Sequence, residues 1–133
     1  LALWAAAAHR IPPIRGVVSL AGVADLALAF RLKLGRGAVG NLLGGSPEQY
    51  PERYSLTDPA QLVPLGLPTV LLHGADDDIV PIEVSRSYAQ AAVRAGDPVT
   101  LQELPGVGHF DLIDPLSPAW RWVLESLADL TGR

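Results

Sequence analysis

Three short apolar runs stand out along the chain, each followed by a stretch with helical spacing. Arg15-Gly16-Val17-Val18-Ser19-Leu20 is β-branched at its centre and lies between Pro13 and Gly22, which predicts a short buried strand. Pro68-Thr69-Val70-Leu71-Leu72-His73 is nearly continuous in apolar residues, the pattern of a strand covered on both faces. Pro98 to Leu104 alternates only in part and predicts a strand nearer a sheet edge. Ala and Leu dominate residues 1 to 9, predicting a helix stopped by Ile11-Pro12-Pro13. Residues 82 to 95 carry Ile82, Tyr88, Ala89, Ala92 and Val93 at helical spacing, with Gly96 as the stop. Ser117-Pro118 opens a last helix with the stripe Trp120, Val123, Leu124, Leu127 and Leu130.

The stretch from Ala21 to Gly66 is less regular. Asp25 to Leu34 reads as helical, and Gly35, Gly37 and Gly40 break the pattern up. Ser46-Pro47-Glu48-Gln49 has the form of an N-cap followed by a first-turn proline, predicting a short helix to Arg53. Thr57-Asp58-Pro59 and Val63-Pro64 mark turns.

The element order predicts an α/β fold of about three parallel strands joined by crossovers, with flanking helices. A parallel sheet needs cover on both faces, so residues 1–133 are expected to be one partial domain of a larger unit. Hydrophobic residues make up 49% of the chain and charged ones 18%, which excludes a disordered tail. A net charge of −4 with no basic cluster gives no footprint for nucleic acid. The absence of cysteine removes disulfides, thiolate metal sites and a Cys nucleophile. Methionine is absent even at position 1, so the native chain is expected to begin upstream of Leu1. The opening Leu1-Ala2-Leu3-Trp4-Ala5-Ala6-Ala7-Ala8 has no basic stretch before it and falls short of the roughly 18 residues of a membrane span. A cytoplasmic location is the default expectation, with an upstream leader left open.

Two motifs then change the picture. His73-Gly74-Ala75-Asp76-Asp77-Asp78-Ile79-Val80-Pro81 follows the second strand, and Pro105-Gly106-Val107-Gly108-His109-Phe110 follows the third. In an open α/β sheet, chemistry gathers in the loops beyond the carboxyl ends of the strands. A right-handed crossover through helix 82–95 sets these strands side by side, about 5 Å apart. An Asp carboxylate can then accept a hydrogen bond from one ring nitrogen of His109, leaving the other nitrogen as a base. The Asp run also reads as a solvated turn with charge favouring the helix that follows. A calcium loop would want a Gly and a later Glu at set spacing, which this run lacks. His73, ending a strand, reads as a structural hydrogen-bonder. His9 beside Arg10 reads as complementing a helix end, and Trp4, Trp120 and Trp122 as packing residues.

The pattern His73-Gly-x-x-Asp77-x-x-Val80-Pro81, followed by Gly106-x-Gly108-His109, resembles the C-terminal half of an α/β-hydrolase of the esterase and prolyl-oligopeptidase-like branch. Gly44-Gly45-Ser46-Pro47 through Pro59 resembles the segment those enzymes place before the acid-bearing strand, so the similarity spans nearly the whole chain. The resemblance implies that Asp77 is the acid and His109 the base of a Ser-His-Asp triad, with Asp76 and Asp78 as fallbacks. It implies hydrolysis of a small ester, or of a short peptide or amide, with no cofactor. The family carries its serine in a Gly-x-Ser-x-Gly elbow upstream of both. None of Ser19, Ser46, Ser55, Ser85, Ser87, Ser117 and Ser126 stands in that frame. Leu1-Ala2-Leu3-Trp4-Ala5 is similar to the helix after the elbow, which places the expected nucleophile shortly before Leu1 and the oxyanion-hole donors outside the chain. The rival expectation is a non-catalytic α/β module that kept the loops without the nucleophile. Oligomeric state is left open.

Overall fold

The computed structural model describes residues 1–8 and 14–132; the expectations for His9, Arg10 and the stop at 11–13 lie outside the described residues. Three parallel strands form one sheet in the order β1 (Val17–Leu20), β2 (Thr69–Gly74), β3 (Val99–Leu104). Val17 is in register with Thr69, and Thr69 with Val99, so the central strand pairs on both sides. Its apolar run explains that position. Leu71 and Leu72, both buried, point into different cores on opposite faces of the sheet. β3 lies at an edge, as its mixed pattern predicts.

On one face Leu71 and Val17 pack with Leu3 and Ala6 of α1 (Ala2–Ala7) and with Tyr88 and Ala92 of α5 (Glu83–Arg94). On the other, Leu72 and Leu104 pack with Leu112, Ala119 and Val123, the last from α6 (Trp120–Thr131). Both helices are rotated from the sequence reading. In α5, Val84 and Ser85 are buried with Tyr88 and Ala92, whereas Val93 is exposed. One residue is about 100° of helix, so turning Tyr88 and Ala92 to the sheet turns Val93 away. In α6 the inward line is Val123 and Ser126, leaving Leu124 and Leu127 exposed. Ser126 is accommodated there because its hydroxyl donates back to the Trp122 carbonyl at 2.8 Å.

Between β1 and β2 the chain builds a helical excursion with its own small core of Ala29, Val39, Leu43 and Tyr54. α2 (Leu26–Arg31) is capped by Asp25, whose carboxylate accepts from the Leu28 N–H at 2.7 Å. The expected break falls at Lys33, Gly35, Arg36 and Gly37, which take left-handed backbone angles. Helix then resumes to the end of α3 (Leu34–Leu43), running through Gly40. Gly40 is not a breaker but a contact point: a Cβ there would lie 2.9 Å from the Phe30 ring. The helix predicted from Ser46 to Arg53 begins later, as α4 (Pro51–Thr57). Ser46 and Gln49 do make the reciprocal cap bonds, at 3.0 and 3.2 Å, but the residue before a proline is pushed out of helical geometry. Tyr50 lies outside helical geometry (φ −134°, ψ 56°), and the helix restarts with Pro51 in its first turn.

Buried aspartates tie this excursion to the sheet. Asp58 accepts the N–H groups of Leu26 (2.8 Å) and Ala27 (3.1 Å) at the start of α2, and that of Ala60 (3.2 Å). Asp25 also accepts from the Ser87 hydroxyl of α5 at 2.5 Å. Asp97, at the end of the α5 crossover, holds the loop entering β2 through Leu65 N–H (2.7 Å) and Gly66 N–H (2.8 Å).

The junction that positions the site lies past the end of β2. Ala75 N–H donates to the Leu104 carbonyl at 2.9 Å and Asp76 N–H to the Val107 carbonyl at 3.1 Å. The loops after β2 and β3 are thereby stitched backbone to backbone. Gly74 permits the approach, since a Cβ there would sit 2.0 Å from the Val107 carbonyl oxygen and 2.7 Å from its carbon. Backbone cannot yield as a flexible side chain can, so Gly74→Ala is expected to destabilise the fold by about 1–3 kcal/mol or more, measured by denaturant unfolding.

Candidate active site

Three elements deliver the side chains. β2 ends in the acid loop, β3 ends in the histidine loop, and α5 closes the crossover between them. Of the three aspartates in the run, Asp76 and Asp78 are exposed, while the Asp77 side chain is fully buried. The reason is local. Asp77 Oδ1 accepts the N–H groups of Ile79 (2.9 Å) and Val80 (2.8 Å), an Asx turn that folds the carboxylate back over its own loop. Its Oδ2 faces the neighbouring loop and meets Nδ1 of His109 at 2.7 Å. The structure thus brings together the two residues singled out from the sequence.

His109 is held from both sides. Gly106 takes a left-handed angle (φ +72°) that turns the chain after β3. Gly108 N–H donates to Asp111 Oδ2 at 2.7 Å, closing the start of a 3₁₀ turn over Phe110–Ile113. The imidazole stands edge to face with the Phe110 ring, centroids 5.1 Å apart. Its side chain keeps 24% of its surface open, and no described residue takes its Nε2. Because the carboxylate oxygen only accepts, Nδ1 carries the proton, and Nε2 is the basic nitrogen of the neutral ring.

Burial raises the Asp77 carboxyl pKa, but the hydrogen bonds from Val80, His109 and Ile79 outweigh it and hold the group below the ordinary carboxylate value. Asp77 is therefore a charged acceptor, suited to orienting an imidazole and stabilising its protonated form. Gly74 and Phe110 stand inside the two motifs and support the site through backbone approach and ring contact, whereas Asp111 supports it without having been singled out by pattern. The signal for Asp111 lay in its place three residues after Gly108, where an Asx side chain reaches back to a turn N–H. His73 is a buried hydrogen-bonder, Nδ1 on Ser85 Oγ at 2.7 Å and Nε2 on the Val80 carbonyl at 2.8 Å. Among the described residues, no group of three or more His, Asp or Glu is arranged to hold a metal ion, and no helix is long and apolar enough to cross a membrane.

The fold and the two adjoining loops define a portion of an α/β-hydrolase. Residues 1–127 match the sequence profile of the prolyl oligopeptidase family, and the chain belongs to that family. Solved structures agree. The acetyl ester-xyloside bifunctional hydrolase of Caldicellulosiruptor lactoaceticus superposes with a TM-score of 0.62 at 26% identity, over 86% of this chain and 42% of that one. Native esterase 2 of Thermogutta terrifontis gives 0.56 at 26% identity, over 80% and 37%. A puromycin hydrolase gives 0.55 at 29% identity, over 69% of this chain and 14% of that one. The chain thus spans less than half the length of each of these relatives. No curated protein sequence matches it.

The lowered carboxyl of Asp77 has a consequence for stability. A carboxyl more acidic in the folded state than in the unfolded one stabilises the fold fully above its ordinary value, about pH 4, and the contribution fades as pH falls through the lowered value. Asp77→Asn is expected to melt at lower temperature than the parent near neutrality, with the gap narrowing below about pH 4 in a series of thermal melts.

Proposed function

We propose that this chain is the acid- and histidine-bearing portion of a serine hydrolase that cleaves ester or amide bonds. The observation that carries the reading is the 2.7 Å contact between His109 Nδ1 and Asp77 Oδ2, with the opposite ring nitrogen open. In the full-length enzyme a serine preceding Leu1 attacks the substrate carbonyl, and His109 Nε2 takes the hydroxyl proton as the new C–O bond forms. The tetrahedral intermediate collapses when His109 returns that proton to the leaving alcohol or amine. Water, deprotonated by the same nitrogen, then hydrolyses the acyl-enzyme and releases the acid. Asp77 stays ionised throughout and stabilises the imidazolium. No step requires a cofactor.

The substrate class follows from two supports. Structural neighbours that cover 80% or more of this chain include an esterase and an acetyl ester-xyloside bifunctional hydrolase, and a puromycin hydrolase covers 69% of it. An apolar hollow of about 350 Å³, lined by Leu1, Trp4, Val23, Leu26, Leu42, Thr57 and Pro59, offers uncharged walls. The neighbours favour an ester or amide as the bond cleaved, and the hollow, which no residue of the acid or histidine loop lines, favours an uncharged group. By itself the 133-residue chain has no serine in a nucleophile elbow and is expected to be inactive.

The test uses the full-length protein with a panel of short acyl esters and aminoacyl amides. Organophosphonate is expected to label one serine upstream of Leu1. His109→Gln is expected to lower kcat/KM by on the order of 10⁵- to 10⁶-fold, and Asp77→Asn by on the order of 10⁴-fold, with KM little changed. An unlabelled protein, or an active His109→Gln variant, would sink the proposal.

A further inference from the structure

A second imidazole lies behind the acid. His73 is wholly buried at the end of β2, and its Nε2 is 2.8 Å from the Val80 carbonyl oxygen and 3.3 Å from Asp77 Oδ2. A carbonyl only accepts, so Nε2 carries the proton. In the neutral ring this leaves Nδ1 to accept from the Ser85 hydroxyl of α5, at 2.7 Å. His73 therefore spends its N–H on the Val80 carbonyl, and Nε2 stands 3.3 Å from the oxygen that receives His109 Nδ1–H at 2.7 Å without a hydrogen bond to it. Asp77 Oδ2 thus has both imidazoles within 3.3 Å, while its other oxygen is occupied by the N–H groups of Ile79 and Val80.

We infer that His73 is a positioning residue for the Asp77–His109 pair. Its ring closes the acid loop by donating to the carbonyl of Val80, the residue whose own N–H is held by Asp77 Oδ1. Two effects follow. The carboxylate plane is fixed, so His109 Nδ1 meets Oδ2 without a rotamer search. The orientation of His73 is in turn fixed by Ser85, which anchors the acid loop to the first turns of α5. An apolar ring in its place would leave the Val80 carbonyl and the Ser85 hydroxyl without their partner in a buried site. This inference rests on the reading that Asp77 and His109 act together in hydrolysis.

The rival role for His73 is packing alone, and turnover per active site separates the two. In the full-length protein, kcat and KM are measured for His73→Leu and His73→Gln, with functional sites counted by organophosphonate titration. His73→Leu is expected to lose about 10- to 100-fold in kcat per titrated site with KM within about twofold, the range for outer hydrogen-bond partners of reactive groups. His73→Gln, which keeps a donor near the Nε2 position, is expected to recover most of that loss. Wild-type kcat per site in His73→Leu, or a glutamine variant no better than the leucine one, overturns the inference alone. Activity that survives His109→Gln overturns the triad reading and this inference with it. Where His73→Leu yields no folded protein, Ser85→Ala carries the test. It keeps the imidazole and removes the donor that orients it, so a severalfold lower kcat per site is expected and an unchanged one overturns the inference.

Discussion

Everything at this site depends on a backbone contact in which neither the Asp77 nor the His109 side chain takes part. The β2–β3 ladder does not stop at the end of the sheet: it continues as Ala75 N–H to the Leu104 carbonyl and Asp76 N–H to the Val107 carbonyl. Two loops far apart in sequence are thus fixed relative to each other before any side chain is considered. A carboxylate and an imidazole can meet at hydrogen-bond distance only if their Cα atoms are placed to within a fraction of an ångström. Ladder bonds deliver that accuracy because they are directional. Gly74 is the condition for the contact, since any side chain would intrude on the Val107 carbonyl.

The chain repeatedly uses buried aspartates as backbone acceptors. Asp25, Asp58 and Asp97 each take N–H groups from loops or helix starts and so fasten irregular backbone that would otherwise be unsatisfied. Asp77 does the same with one oxygen, through Ile79 and Val80. It differs in having its second oxygen open to another loop, where His109 reaches it. A loop-stapling carboxylate thereby becomes one that can orient an imidazole. His73 lies within the same arrangement, and its contacts explain why a polar ring is retained in a site otherwise suited to an apolar one.

The strands were legible in the amino-acid order because a central parallel strand must be apolar on both faces, which Val70 to Leu72 satisfies without interruption. Helix existence was legible too, but helix rotation was not. Val93, Leu124 and Leu127 have the spacing of an inward stripe and face outward, because the sheet surface set which side of each helix it covered. The start of α4 was misplaced because a strong cap at Ser46 competes with Pro51, and the proline prevails through its constraint on Tyr50. Gly40 reads as a breaker on propensity alone, and its close approach to Phe30 is a tertiary fact.

The sequence by itself determined the class of fold, the two loops that matter and the residue types able to act there. Periodicity and strand–loop–helix order are local properties, and His109 with an Asp run is a small set of candidates. The resemblance had already singled out Asp77 over Asp76 and Asp78; what only the tertiary structure adds is that its carboxylate is turned inward by its own Asx bonds and toward the other loop. The tertiary structure also decided the part of His73, whose partners Val80 and Ser85 are separated from it by a turn and by the start of a helix. Hydrogen bonds between elements depend on register and packing. No count of spacings along one chain contains them.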